Sequence, residues 1–395
     1  MITYKLRWFG LLLAILILSS CHSQVKVERD IELGCQQMDL YLPLIQDKNV
    51  GLLVNHTSLI GDTHLVDSLI SRGTQIQSIF SPEHGFRGAA DAGEHVKTGI
   101  DAKTGISIIS LYGKNKKPLP EQVQDLDVII FDIQDVGVRF YTYISSMHYM
   151  MEACAENGIK FIVLDRPNPN GDYFDGPVLE EKFKSFVGMH PIPIVHGLTV
   201  GELARMINEE GWLSGNEKCD LTVIPVNNYS HQRPYSLPVK PSPNLPNDLS
   251  IRLYPSLCFF EATEVSVGRG TYMPFQIIGY PDSIFGSFAF IPKSIDGMSK
   301  NPMQMERECF GIDLRETESL DHQFTLKYFL DFYNKPGYND SIITRERWFN
   351  LLAGTDRLLK QLKSGTSWSD IKASWETELK AYKMLRDNYL LYPLD

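Results

Sequence analysis

The chain has 395 residues, with 38 Lys and Arg against 48 Asp and Glu, which gives a formal net charge of -10. A hydrophobic share of 43% with 22% charged residues excludes a disordered or fibrous chain, and the length predicts two domains. The acidic balance, without any Lys/Arg tract, argues against nucleic acid as a partner, because phosphate binding needs a clustered basic surface. Any anionic ligand must therefore be bound by individual arginines.

Residues 1–20 have the pattern of an export signal. Lys5 and Arg7 precede an apolar stretch over 8–18, which is shorter than the ~20 residues of a spanning helix but typical of a signal-peptide core. Small residues then precede Cys21, as in bacterial lipoprotein signals, where the cysteine becomes the lipidated N-terminus. We expect an exported lipoprotein that faces the periplasm and is anchored to the membrane only through lipid on Cys21. The alternative is an ordinary cleaved signal, which also exports the chain.

Five cysteines follow Cys21, an odd number without CxxC spacing, so neither a complete disulfide framework nor a zinc site is indicated. We expect them to be buried as small apolar residues. They are Cys35, Cys154, Cys219, Cys258 and Cys309.

Short apolar runs, largely β-branched, are typical of strands buried on both faces of a sheet. Helical patterns lie between them, and three of these patterns end at Gly73, Gly158 and Gly211. The alternation of strand and helix predicts an α/β fold with a doubly wound parallel sheet. The predicted strands are 50–54, 76–80, 106–111, 128–133, 161–164 and 221–226.

The pattern breaks over 227–255, where polar residues and prolines oppose regular pairing. We place the domain boundary there, so that 46–235 forms the parallel domain and 236–395 a smaller α+β domain, with 21–45 as an N-terminal tether. The second domain contains a predicted strand over 275–280 and two amphipathic stretches over 344–362 and 368–385.

Polar residues follow four of the predicted strands, at the sheet edge where open parallel sheets bind their ligands. We expect them to face one cleft and contact the substrate. They are Asn55, Glu83, His84, Arg87, Asp132, Asp135, Asp165, Arg166 and Asn168.

Motifs for several common ligands and nucleophiles are missing from the sequence. Neither GxGxxG nor GxxxxGK[ST] occurs, which argues against dinucleotides and nucleoside triphosphates. The absence of GxSxG and HExxH removes the commonest serine-hydrolase and zinc-protease routes. We therefore expect no cofactor, and carboxylates remain as the candidate chemical groups.

Glu83 is the predicted general acid. It follows a strand, lies close to glycines, and would be partly screened from water by Phe86, a setting that suits proton donation to a leaving oxygen. Asp132 or Asp135 is the predicted partner carboxylate. A separation from Glu83 of about 5–5.5 Å would favour retention of anomeric configuration, and ~6.5–9.5 Å inversion.

Arg139 and Arg269 lie beside glycine or aromatic residues. A guanidinium in such a setting can bind both oxygens of a carboxylate, while the ring of Tyr141 stacks on a sugar. An arginine that only braces a turn would have the same local sequence. A further alternative is a metal site formed by His84, His95 and two carboxylates, Asp91 and Glu94, although their spacing matches no established template.

Five runs together resemble the exo-β-N-acetylmuramidase (NamZ-like) family. The sequence differs from the family pattern at Ala262 and Glu264, where glycine and asparagine are expected. The matching runs are SPEHGFRG at 81–88, FDIQDVGVRFYTY at 131–143, LDRPNP at 164–169, PSPNLP at 241–246, which contains Asn244, and SVGRGT at 266–271.

This resemblance implies a Rossmann-like domain joined to a smaller C-terminal domain, with the site between them. It implies a glycosidase that removes N-acetylmuramic acid from the non-reducing ends of peptidoglycan fragments, with Glu83 as the proposed catalytic residue. Asn244 is then a substrate-binding candidate, and Arg269 or Arg139 is expected to hold the lactyl carboxylate. The rival hypotheses are a metal-dependent hydrolase and a non-catalytic lipoprotein that binds cell-wall sugars.

Overall fold

The computed structural model describes residues 29–83, 85–87, 98–113, 115–315 and 323–395. The strands in these residues are β1 (Val50–Val54), β2 (Leu59–Ile60), β3 (Thr63–His64), β4 (Ile76–Ser81), β5 (Gly99–Ile100), β6 (Ser107–Ser110), β7 (Val128–Asp132), β8 (Lys160–Leu164), β9 (Asp220–Ile224), β10 (Ile277–Tyr280), β11 (Phe288–Phe290) and β12 (Cys309–Asp313).

The α-helices in the same residues are α1 (Met38–Ile45), α2 (Leu65–Ser71), α3 (Pro120–Val123), α4 (Tyr143–Asn157), α5 (Val200–Glu209), α6 (Asp248–Leu257), α7 (Lys327–Tyr333), α8 (Glu346–Ala353), α9 (Arg357–Lys363), α10 (Trp368–Ala373) and α11 (Glu376–Arg386). Short 3-10 helices cover Gly34–Gln36, Glu181–Phe183, Ser214–Asn216, Cys258–Ala262, Ser283–Phe285 and Asn339–Ser341.

A seven-stranded sheet organises the first half of the chain, in the order β5-β6-β4-β1-β7-β8-β9. All neighbouring strands are parallel except β5 and β6. The central strands β1 and β7 are buried at every residue, as expected where helices cover both faces. All six predicted strands belong to this sheet, which confirms the doubly wound parallel arrangement.

The helices begin and end where the sequence carries the appropriate capping residues. Gly158 follows α4 with a φ of +65°, and a capping box of Thr199 and Glu202 starts α5. The amphipathic stretch over 344–362 is two helices, α8 and α9, because Gly354 adopts a φ of +72° between them. The stretch over 368–385 likewise contains α10 and α11.

Helix α6 lies within the stretch that the prolines were expected to keep irregular. Asn247 starts it by accepting a hydrogen bond from the Ser250 N–H. Pro255 lies in the last turn and cannot donate to the carbonyl of Ile251. The side-chain amide of Asn170 donates to that carbonyl instead, over 3.4 Å, so the helix tolerates the proline.

Residues 31–45 are part of the fold and not a tether, which corrects the sequence prediction for that segment. The Gly34 N–H donates to the carbonyl of Asp165 over 3.0 Å, beside β8. Cys35, Tyr41 and Ile45 are buried in a hydrophobic cluster with residues of β1 and β8. Removing these apolar side chains from water stabilises the folded protein, whereas a solvated linker would leave them exposed.

The second half of the chain adds a smaller antiparallel sheet, in the order β10-β12-β11, together with α7 to α11. This combination confirms the predicted smaller α+β part. Residues 31–395 form one compact unit, and one hydrophobic cluster contains residues from Leu53 to Tyr389. The boundary at residue 235 stays a prediction.

The end of the chain returns to the parallel sheet. The Tyr392 hydroxyl donates to Oδ2 of Asp165 over 2.5 Å and accepts from the N–H of Val226 over 2.9 Å. The carbonyl of Pro393 accepts from the N–H of His231 over 2.9 Å. The last residues therefore pack against the ends of β8 and β9.

The five cysteines from Cys35 to Cys309 are buried as free thiols, as predicted. Among the described helices, each is too short or too polar to cross a bilayer. Residues 1–20 and the lipidation candidate Cys21 lie outside the described residues.

Candidate active site

A cavity of about 530 Å³ lies beyond the C-terminal ends of β4 and β6. Residues from both halves of the sequence form its walls, and it contains the predicted site residues Glu83, Tyr141, Asn244 and Arg269. The lining residues are Glu83, Tyr112, Gly113, Lys116, Phe140, Tyr141, Thr142, Tyr143, Phe186, Val187, Ser242, Asn244, Leu245, Tyr254, Cys258, Glu261, Arg269, Phe275, Trp348 and Leu352.

Glu83 enters this cavity two residues after β4. The Tyr112 hydroxyl donates to its Oε1 over 3.1 Å, and the Tyr143 hydroxyl donates to its backbone carbonyl over 3.4 Å. Burial and the nearby Glu83 charge raise the pKa of Tyr112 to about 12, so Tyr112 stays a donor at neutral pH. Phe86, expected to screen Glu83, instead packs edge-on against His64, with ring centroids 4.7 Å apart.

Glu261 supplies a second carboxylate to the same cavity, from the 3-10 helix Cys258–Ala262. Its Oε1 accepts a 2.6 Å hydrogen bond from Nη2 of Arg269. Burial alone would lower the pKa of Arg269, but the Glu261 carboxylate reverses this effect and raises it. The two side chains therefore form an ion pair in the wall of the cavity.

The backbone around Arg269 depends on its two flanking glycines. Gly268 and Gly270 have φ values of +78° and +79°. A Cβ on Gly268 would lie 2.6 Å from the Met273 carbonyl oxygen, and one on Gly270 would lie 2.5 Å from Pro302. Both positions therefore require glycine, and this tight turn directs Arg269 toward Glu261.

Asn244 lies in the wall of the cavity. Its Nδ2 donates to the Met298 carbonyl over 3.0 Å, and its N–H donates to the Ser242 hydroxyl over 3.3 Å. These bonds fix the amide, and its Oδ1 is buried without a hydrogen bond to any described residue. This oxygen is therefore a candidate acceptor for a donor group of a ligand.

Aromatic rings form much of the remaining wall. Tyr141 is held by a 2.7 Å hydrogen bond from its hydroxyl to the Pro241 carbonyl, and its ring meets that of Tyr143 edge-on at 5.0 Å. Phe186 and Trp348 line the cavity as well. Flat apolar faces next to hydrogen-bonding groups suit the two kinds of surface that a pyranose ring presents.

Asp132 and Arg166 bind each other instead of substrate, which corrects two sequence predictions. Nε of Arg166 donates to Oδ1 of Asp132 over 2.6 Å, and Nη2 donates to Oδ2 over 2.9 Å. Both side chains are buried and neither lines the cavity. A carboxylate held in this bidentate pair cannot activate water at the cavity.

Asp135 is also buried outside the cavity walls. Its Oδ2 accepts from the Gly137 N–H over 2.7 Å and lies 3.6 Å from Nε2 of His196. The prediction of a partner carboxylate on the strand β7 edge is therefore wrong for both aspartates, and Glu261 occupies that place in the cavity.

Arg139 is a structural arginine, so its predicted role in ligand binding is wrong. Nη1 donates to the carbonyls of Pro177 and Ile192 over 2.8 and 2.7 Å. Nη2 donates to those of Leu352 and Ala353 over 3.0 and 2.8 Å. Burial lowers the pKa of Arg139 to about 9, so the guanidinium is still a cation at neutral pH.

Three further residues at strand ends form hydrogen bonds within the protein and have a structural role. Asp165 accepts from the N–H groups of Arg166 and Gly201 and from two hydroxyls, while burial raises its pKa to about 6. Asn168 donates to the Leu198 carbonyl over 2.8 Å. Asn55 accepts from the N–H and hydroxyl of Thr57. None of the three lines the cavity, contrary to the prediction.

Arg87 pairs with Asp101 and Asp67, at 2.9 and 3.5 Å, and it does not line the cavity. His84 lies outside the described residues, as do Asp91, Glu94 and His95 of the alternative metal site. Within the described part of the chain, no three His, Cys, Asp or Glu side chains are clustered closely enough to hold a metal ion.

The cavity residues that sequence reasoning missed include Lys116, Phe186, Glu261 and Trp348. Glu261 carried a signal, because it lies eight residues before Arg269, which is part of the conformationally restrictive SVGRGT run. The other three lie on a loop, an irregular segment and helix α8. No local pattern marks them as neighbours of Glu83.

A doubly wound sheet whose cavity holds two carboxylates, a paired arginine and several aromatic rings is typical of an enzyme that acts on a sugar. Family models agree with this class. The model for exo-β-N-acetylmuramidase NamZ, N-terminal, matches residues 50–249, and the corresponding C-terminal model matches residues 252–392. The chain therefore belongs to the NamZ exo-β-N-acetylmuramidase family.

A characterised relative is the peptidoglycan β-N-acetylmuramidase NamZ of Bacillus subtilis strain 168, which is 38% identical over 378 residues, or 89% of each chain. Two crystal structures of DUF1343 family proteins from Bacteroides fragilis NCTC 9343 have similar folds. One is 45% identical with a TM-score of 0.86, and the other is 27% identical with a TM-score of 0.77. Each alignment covers 92% of this chain and 99% of the other.

Proposed function

We propose that this protein is an exo-acting β-N-acetylmuramidase that releases N-acetylmuramic acid from the non-reducing ends of peptidoglycan fragments. The observation that carries the proposal is the placement of Glu83 and Glu261 in one cavity. Family membership and the activity named for the Bacillus subtilis relative support it. The volume of about 530 Å³ falls in the ~300–1,000 Å³ range of small-molecule sites and suits a chain end.

Glu83 acts as general acid in this proposal. Tyr112 donates to Oε1, so the transferable proton resides on Oε2. Glu83 gives this proton to the glycosidic oxygen while the bond from that oxygen to the anomeric carbon breaks. Water supplies the oxygen that replaces it and gives up one proton, which goes to Glu261 in an inverting reaction and back to Glu83 in a retaining one. The products are free N-acetylmuramic acid and a fragment shortened by one sugar.

Glu261 is the second carboxylate. Nη2 of Arg269 lies 2.6 Å from its Oε1, and in this proposal Glu261 either deprotonates water or attacks the anomeric carbon. Asn244 accepts a hydrogen bond from the sugar, and the aromatic rings contact its apolar face.

The test uses purified protein and two isomeric disaccharides, one with N-acetylmuramic acid and one with N-acetylglucosamine at the non-reducing end. Proton NMR of the first sugar released identifies the sugar and its anomeric configuration. We expect release from the muramyl isomer only, unaffected by EDTA. Release from neither isomer, or loss of activity with EDTA that added metal restores, would contradict the proposal.

We also propose that the protein is an exported lipoprotein, anchored through Cys21 and facing the periplasm. The charged, apolar and small-residue order of residues 1–21 supports this location. Cells fed a clickable palmitate analogue should label the wild-type protein but not Cys21→Ser. Equal labelling of the two would contradict lipidation at this cysteine.

A further inference from the structure

Lys116 is a cation in the wall of the cavity that contains Glu83. It lies on the segment after β6, four residues beyond Tyr112, and is half-buried. Its Nζ is 4.0 Å from the centroid of the Phe186 ring, which also lines the cavity. The ring therefore holds the ammonium group at the cavity by a cation–π contact.

The charge of Lys116 is not neutralised by a described carboxylate. Within the described residues, it forms no ion pair at 4.0 Å or less. The adjacent Lys117 behaves differently, because its Nζ lies 3.2 Å from Glu152 and 2.6 Å from Glu156. Only the first of these two neighbouring lysines presents its charge to the cavity.

Arg269, the other cation that lines the cavity, is paired with Glu261 at 2.6 Å. Glu83 adds a further acidic group. An anionic substrate entering this cavity would meet two acidic side chains and one cation that is already paired. Among the described lining residues, Lys116 is the group whose positive charge is available to balance the negative charge of the substrate.

We propose that Lys116 binds the lactyl carboxylate of the substrate and thereby selects muramyl over glucosaminyl sugars. This inference rests on the proposed function. The two sugars differ in the lactyl ether at O3, which ends in a carboxylate that is ionised at neutral pH. An ammonium group donates charge-assisted hydrogen bonds to such an oxygen without requiring one fixed orientation. The Phe186 ring offers an apolar surface to the lactyl methyl group.

The experiment measures kcat/KM for three chromogenic β-glycosides that share one leaving group: N-acetylmuramic acid, its lactyl carboxamide and N-acetylglucosamine. The variants are Lys116→Met, Lys116→Arg and Arg269→Lys. Lys182→Met is the matched control, because Lys182 also lies over a phenyl ring, 5.0 Å from the centroid of Phe183, but does not line the cavity.

We expect the wild type to lose about 10-fold or more when the carboxylate becomes an amide. Lys116→Met should lose a similar factor on the muramyl substrate and show little further loss on the amide. Lys116→Arg should recover part of the preference, and Lys182→Met should behave as wild type.

The proposed function and the role of Lys116 would be contradicted by different results. A wild-type protein that cleaves none of the muramyl substrates contradicts the proposed function. An active wild type whose preference for carboxylate over amide is unchanged in Lys116→Met contradicts the role of Lys116 alone. Loss of that preference in Arg269→Lys, with Lys116→Met unaffected, would assign the carboxylate to Arg269 instead.

Discussion

The hydroxyl of Tyr112 donates a hydrogen bond to Oε1 of Glu83 over 3.1 Å. This bond restrains the rotation of the carboxyl group. Tyr112 follows β6 whereas Glu83 follows β4, so two adjacent parallel strands hold the donor and the acceptor.

Removing the Tyr112 hydroxyl should therefore slow catalysis without abolishing it. We expect Tyr112→Phe to lower kcat about 10-fold with little change in KM. The hydrogen bond stabilises the carboxylate charge that develops on Glu83 as its proton leaves, and a hydrogen bond to a charged group is worth about 1.5–3 kcal/mol. Steady-state kinetics on a muramyl glycoside measures this. Tyr272→Phe, at a side chain that is 81% exposed, is the control. Equal kcat in both variants would show that Tyr112 does not position the acid.

Glu83→Gln keeps the shape of the side chain but removes its ionisable proton. Turnover should fall about 100-fold or more, with an unchanged thermal unfolding transition. The loss should be much smaller for a dinitrophenyl glycoside, since that leaving group departs without protonation. Glu121→Gln, on the exposed first turn of α3, should have no effect. A loss of the same size for both leaving groups would argue against the acid role.

Glu261→Gln should lower turnover by about 100-fold or more for good and poor leaving groups alike, because the second carboxylate acts at the anomeric carbon. Glu264 provides the control, since it lies three residues further on and is exposed. We expect Glu264→Asn to leave the rates unchanged. Activity near wild type in Glu261→Gln would show that Glu261 is not the second catalytic group.

Arg139→Met should destabilise the protein. The substitution removes the guanidinium donor from four carbonyl oxygens. That of Ile192 keeps the Leu179 N–H as a donor, and each buried carbonyl left unsatisfied costs about 1–3 kcal/mol. We expect the free energy of unfolding in urea to fall by at least about 3 kcal/mol, against less than about 1 kcal/mol for the surface variant Arg315→Met. The preference between muramyl and glucosaminyl substrates should not change. A stable variant with altered preference would restore Arg139 as a ligand-binding residue.

The ion pair of Arg87 and Asp101 should contribute a stability that depends on pH. Hydrogen bonds from Arg87, and then from Thr104, lower the pKa of Asp101 to about 2, against about 3.9 when unfolded. Because the folded-state pKa is lower, the contribution is present above about pH 4 and is lost as the pH falls toward 2.

Asp101→Asn should therefore lower the free energy of unfolding by about 1 kcal/mol at pH 7, a value reduced by the partial exposure of Arg87. The difference from wild type should shrink between pH 4 and pH 2. Urea unfolding at several pH values measures it, with the exposed Asp62→Asn as control. A difference that stays constant down to pH 2 would contradict this assignment.

The parallel sheet could be predicted from sequence because its strands are continuous apolar runs. Only burial on both faces permits that pattern, and β1 and β7 are buried throughout. The segment over 31–45 is rich in apolar residues, but it precedes the first predicted strand, and its local pattern does not reveal that it packs against β1 and β8.

The site was predicted only in part, for reasons that Asp132 and Glu83 illustrate. Both lie at the C-terminal end of a strand on the same sheet edge, but Asp132 pairs with the buried Arg166, whereas Glu83 lines the cavity. A strand end predicts where a residue lies and not which partner it meets. Glu261 and Lys116 reach the cavity from distant segments, so only the tertiary fold brings them to Glu83.

Tyr392 and Pro393 bind the ends of strands formed by the first half of the chain. Removing these residues would take one hydroxyl donor from the buried carboxylate of Asp165 and expose Tyr229, whose ring packs against that of Tyr392. The packing at the ends of β8 and β9 therefore depends on a tyrosine that lies 227 positions after Asp165. A variant that lacks Tyr392 and the residues after it should be readily degraded by proteases, because buried groups of the parallel sheet would become accessible.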